Sequence, residues 1–179
     1  MGHINERAGE HDTTVSFFII RTDGDEPRAV YHRHRRLGVL TMFGGHVELH
    51  QSPWMAAMAE LVEETGYDPS QLAVLQPDVR MSFITRADVH PVPAVSHTAP
   101  YPGDVPHFHS DSMYTFVTDQ EPSGTPGEGE STEVELFTAH ELAGGPIEGM
   151  PEKWREIGFH MLTRVYGTWT PVPLTSYTA

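Results

Sequence analysis

Cysteine is absent from the 179-residue chain. That excludes disulfides, thiolate zinc sites and a cysteine nucleophile, and leaves His, Asp, Glu or carbonyl oxygen to hold any metal. Long apolar runs are lacking too. The longest, residues 54–59, is far short of the roughly 20 residues that span a bilayer. No basic start leads into an apolar stretch of the secretory kind, so the expectation is a soluble, cytoplasmic protein. Basic residues are scarce: 11 Lys and Arg stand against 25 Asp and Glu, for a net charge of −14. Binding to a nucleic-acid polymer or an anionic membrane needs a positive face, and neither is expected. Residues 87–152 contain no Lys or Arg, whereas Arg28, Arg33, Arg35 and Arg36 gather just ahead of Gly44-Gly45. A small anionic ligand would be met there.

At roughly 150 residues per domain the length implies one domain, and 16 glycines with 15 prolines imply many loops. Residues 1–12 are polar and are expected to be a flexible N-terminal segment. Residues 14–21 are β-branched and aromatic and predict a central strand; 29–34 and 39–43 predict a second and a third, the last stopping at Gly44-Gly45. Ser52-Pro53 starts a helix and Gly66 stops it, because a hydroxyl caps the first turn, proline suits the first helical position and glycine the left-handed end. Further strand-like runs cover 72–75, 81–85, 113–118 and 134–138, with long loops at 88–106 and 119–132. A last amphipathic helix begins near Pro151 and ends at Gly167. Trp54 and Trp154 fit core positions; Tyr101 or Phe108, on loops, would be better placed to stack a nucleoside.

Within the first helix Glu60, Glu63 and Glu64 stand at i, i+3 and i+4, so three carboxylates share one face. Taken alone, that spacing describes a solvated acidic surface. The stretch from Gly45 through Glu48, Gln51, Glu60-Leu61, Glu63-Glu64 and Gly66 to Tyr67, however, resembles the Nudix box G-x5-E-x7-R-E-U-x-E-E-x-G-U, with U bulky and apolar. Residues 133–142 are similar to the late strand and short helix of that family. The resemblance implies an α/β fold, a mixed sheet sandwiched between helices with the box loop and helix at the active site. It also implies a metal-dependent hydrolase that cleaves the pyrophosphate bond of a small diphosphate substrate such as a nucleoside diphosphate conjugate. Carried over by position, Glu63 and Glu64 would bind Mg2+ or Mn2+, the Gly44 carbonyl would be a further ligand, and Glu60 a ligand or water-orienting base; Glu133 or Glu135 is the candidate late acid. A homodimer is compatible with this reading.

Two box positions depart from the pattern: Gln51 replaces the glutamate and Ala59 the arginine. Losing both charges together can be neutral where losing one would strand a partner. These departures define an alternative, a Nudix-fold ligand-binding or regulatory protein with weak or no hydrolase activity. An isopentenyl-diphosphate-isomerase-like enzyme is a third reading, disfavoured by the missing cysteine.

Twelve histidines are many for this length. In an extended segment His107, His109 and Asp111 would point one way, and the expectation is contact with substrate rather than a separate structural metal site. Arg33, Arg35 and Arg36, with His32 and His34, should rim the same pocket, since a guanidinium fork suits phosphate oxygens. His46 and His50 lie in the box loop, where His46 is a candidate substrate contact.

Overall fold

The computed structural model describes residues 7–101 and 106–177. In chain order the elements are β1 (His11–Arg21), β2 (Arg28–Arg33), β3 (Leu40–Thr41), β4 (Phe43–His46), α1 (Pro53–Thr65), β5 (Ala73–Gln76), β6 (Val95–Tyr101), β7 (His107–Thr118), β8 (Val134–Thr138), α2 (Ala139–Ala143), α3 (Glu152–His160), which runs on into a π-helical turn Met161–Val165, and β9 (Thr170–Pro173).

β1 is the spine of one mixed sheet. It runs parallel to β7 from His11 opposite Phe108 to Arg21 opposite Thr118. Its other edge is shared, β4 pairing antiparallel along residues 14–17 and β2 along 19–21. β2 continues to β3 and β8, and β7 continues to β6 and to β5, which β9 edges. The period of two sorts β1 onto two cores. Val15, Phe17 and Ile19 pack with Trp54, Ala57, Leu61 and Phe116 under α1, whereas Phe18 and Ile20 pack with Tyr31, Met113, Leu142 and Met161 under α2, α3 and the π turn. Helices thus cover both faces, and a strand buried twice has to be apolar throughout its middle. Trp54 is fully buried, and Trp154 packs partly buried on the second core.

Several elements differ from the sequence expectation. β1 starts at His11, and Asp12, placed by sequence in a flexible tail, has a fully buried side chain; residues 1–6 of that segment lie outside the described ones. Gly44-Gly45 does not end a strand but lies inside β4. Residues 81–85 form no strand beyond an isolated bridge between Ile84 and Ala87, and Met81 and Phe83 are exposed, because no neighbouring strand or helix covers them. The supposed loop 88–106 contains β6, and β7 begins six residues early, at His107. No helix among the described residues is long and apolar enough to cross a membrane.

Candidate functional site

α1 owes its ends to local chemistry. Ser52 accepts a hydrogen bond from the Met55 N–H at 3.1 Å, Pro53 opens the first turn, and Gly66, at φ 72°, closes the last with its N–H on the Val62 carbonyl. With these ends fixed, Glu60 and Glu64 turn inward and are buried, while Glu63 stays exposed. Gly44 donates its N–H to Glu64 Oε2 at 2.6 Å, and a Cβ on Gly45 would overlap the Glu60 carboxylate. Gly44 itself sits at φ 142°, where a side chain would run into the β1 backbone at Val15 and Ser16. The two glycines therefore let carboxylates approach backbone more closely than any other residue allows.

Burial sets the electrostatics. It pushes the Glu60 carboxyl up to about 7, with the charges of Glu63 and Glu130 adding to it. It pushes Glu64 up to about 8, opposed by the Gly44 hydrogen bond and reinforced by Glu60, Glu130 and Glu63. All donors are oxygen, which suits a hard divalent ion, and a cation would relieve both the burial and the mutual repulsion.

Glu130 was not anticipated. It lies in the long loop expected over residues 119–132, and this loop is docked: Gly124 N–H donates to the Gly66 carbonyl at 2.9 Å and Gly127 N–H to the Glu63 carbonyl at 2.7 Å. The loop is thereby tied to the C-terminal end of α1, within reach of the box acids. Glu133 and Glu135, the acids expected from the sequence, flank Arg33 at 3.7 Å and 2.9 Å. The repeated glycines that allow docking were the available signal, but their spacing names no partner.

The two departing box positions are accommodated locally. Gln51 Oε1 accepts the Glu48 N–H at 3.1 Å, so an amide closes the loop without a charge, and Ala59 is exposed. Arg33, His34, Arg35, Gly38, Ser131, Thr132 and Glu133 line a cavity of about 230 Å³. Arg33 is committed to its two glutamates, Arg35 donates to the Gly129 carbonyl at 3.0 Å beside Glu130, and Arg36 is exposed. His34 is half-buried and lowered by burial, Arg36 opposing its charge and Glu130 favouring it. His32 is buried against Phe43, which pushes it down to about 4, and His50 is exposed.

The β7 cluster divides. Asp111 accepts hydrogen bonds from Thr14 Oγ1 at 2.8 Å and Ser16 Oγ at 2.6 Å. His107 and His109 instead converge on Asp12, with His46 against the same carboxylate. Tyr101 is stacked on His109, and Phe108 on His11, so both aromatics already have ring partners.

The model of the NUDIX domain matches residues 11–164. A NUDIX-family hydrolase from Clostridium perfringens is 21% identical, with 86% of this chain and 97% of that chain covered at a TM-score of 0.63. The Ap4A hydrolase of C. elegans is 14% identical, with 87% and 96% covered at 0.53. The dihydroneopterin triphosphate pyrophosphohydrolase of E. coli is 15% identical, with 90% and 100% covered at 0.55. At these identities the structures establish a shared fold. No curated protein matches the sequence.

Proposed function

Because the chain belongs to the NUDIX family, we propose that it is a hydrolase that cleaves the pyrophosphate bond of a nucleoside diphosphate-linked or similar small diphosphate, working with Mg2+ or Mn2+. One observation carries this reading: two buried carboxylates, Glu60 and Glu64, lie side by side against Gly45 and Gly44, each pushed up by burial and by neighbouring acids. Glu60, Glu63, Glu64 and the Gly44 carbonyl would hold the ion, with Glu130 as the late acid. Bound there, it supplies positive charge that polarises phosphoryl oxygens and acidifies water.

The protein's own groups do the rest. With the ion bound, Glu60 would be an ionised carboxylate beside the attacking water and so the group placed to take its proton. The water oxygen bonds to phosphorus as the bridging P–O bond breaks, and the leaving phosphate departs with the bond's electrons. The Gly44 hydrogen bond fixes Glu64 against the box strand, and Arg35 lines the cavity, where its charge would draw the anionic substrate in. The neutral Gln51 closure of the loop supports a working box despite its two departures.

A panel of diphosphate conjugates, assayed for released phosphate or nucleotide with Mg2+ and with Mn2+, tests this. Turnover that is lost in Glu64→Gln is the expected result. Tight binding of the panel without turnover would establish the ligand-binding protein instead.

A further inference from the structure

On the sheet face turned away from α1, Asp12 of β1 and His107 and His109 of β7 bring one ligand atom each to within 4.8 Å of the others. Register explains the convergence. Asp12 lies opposite His109 in the parallel pair, and His46 lies opposite Thr14, whose side chain shares the face of Asp12 two residues along. Phe18 and Ile20 carry the same face into the core under α3, so the cluster occupies the end of the sheet beyond that helix.

The spacings are those of a metal's coordination shell. His107 Nε2 and His109 Nε2 are 3.2 Å apart and Asp12 Oδ2 is 3.6 Å from His107 Nε2, while His46, outside that trio, brings its Nε2 to 3.4 Å from the same oxygen. Ligands bonded at 2.0–2.1 Å to a tetrahedral ion stand about 3.3 Å from one another. Asp12 is fully buried and His107 nearly so. Tyr101 lies flat on the His109 ring at 4.7 Å and 5.0 Å from that of His107, which holds both imidazoles in place. A donor set of imidazoles and one carboxylate selects a borderline transition ion, whereas the all-oxygen glutamate cluster selects Mg2+ or Mn2+.

We propose that Asp12, His107 and His109 form a second metal site, specific for a transition ion such as Zn2+, with His46 of the box strand beside Asp12 and placed to close it. This replaces the sequence expectation that His107, His109 and Asp111 act together on substrate, because Asp111 is held by Thr14 and Ser16. The site ties β1, β7 and β4 at one end, and through His46 it fixes the residue next to Gly45.

The full-length chain, stripped with chelator, is titrated with Co2+ and followed by visible absorption. One equivalent giving the intense bands of four-coordinate Co2+, displaced by Zn2+ and not by excess Mg2+, is expected. Calorimetry should show zinc affinity lowered about 100-fold or more in His109→Ala and weakened in His46→Gln. It should be unchanged in Glu64→Gln, which separates this site from the proposed hydrolytic one. The wild-type titration needs no variant, so a poorly folded mutant does not blunt it. Weak six-coordinate Co2+ absorption, no stoichiometric binding, or equal zinc affinity in His109→Ala and His46→Gln would overturn the site, whether or not the chain hydrolyses diphosphates.

Discussion

Glu60 and Glu64, pushed up to about 7 and about 8 by burial, hold protons in the fold that they release on unfolding at neutral pH. Their folded values lie above the unfolded value of roughly 4.3, so the destabilisation is absent below that pH, grows from there up to about 7 and 8, and is constant above. In chelator, melting temperature should therefore fall between pH 5 and pH 8; Mg2+ should recover it, and Glu64→Gln should flatten the slope. Mg2+ binding at pH 7 should release protons, measurable by calorimetry in buffers of different ionisation enthalpy. A metal-independent melting curve with no proton release would remove both glutamates from the ligand set. Glu60→Gln and Glu64→Gln should each lower kcat by about 10²-fold or more if Glu60 moves the proton and Glu64 holds the ion. At Gln51 the relevant interaction is the bond from the Glu48 N–H. Gln51→Ala should cost about 1 kcal/mol, whereas Gln51→Glu should keep the acceptor and most of the stability. Equal losses in both variants would show that this bond does not close the loop.

Among the elements, the docked segment that carries Glu130 depends on Gly66. Its left-handed φ of 72° and the Gly124 and Thr125 backbone 2.8 Å from where a Cβ would lie leave no room for a side chain. Gly66→Ala should cost about 1–3 kcal/mol and free the loop, with faster hydrogen exchange at Gly124 and Gly127 and weaker Mg2+ binding. Unchanged exchange at those amides would mean that the loop is held elsewhere. Legibility followed the range of the forces involved. The helix over 53–65 was readable to the residue because Ser52, Pro53 and Gly66 act locally, and the strand over 134–138 was readable from its β-branched and aromatic residues. β6 was hidden because Val95–Tyr101 is half-buried and polar and becomes a strand only by pairing with β7. Residues 81–85 carried a strand's composition with nothing to pair against. In the same way the box acids were legible from spacing, while Glu130 and Asp12 reach their sites only through distant contacts that leave no local pattern.

For the whole molecule, a net charge of −14 makes self-repulsion a standing cost of compactness. Monovalent salt screens it, so melting temperature in chelator should rise by a few degrees from about 0.01 M to about 0.3 M salt, where the screening length drops below roughly 10 Å. A fall over that range would show that the ion pairs of Arg21 with Asp23 and Glu121 outweigh the repulsion. The parallel pairing of β1 with β7 also governs how the chain is made. Partners such as Thr14 and Asp111 are 97 residues apart, so loop closure is needed before the central strand gains its long neighbour. During synthesis the Phe17, Phe18, Ile19 and Ile20 run leaves the ribosome well before residue 118 and waits with one edge unpaired. A nascent chain stalled in that interval is a client for chaperones and a seed for aggregation, and neither candidate site can assemble until the interval has passed.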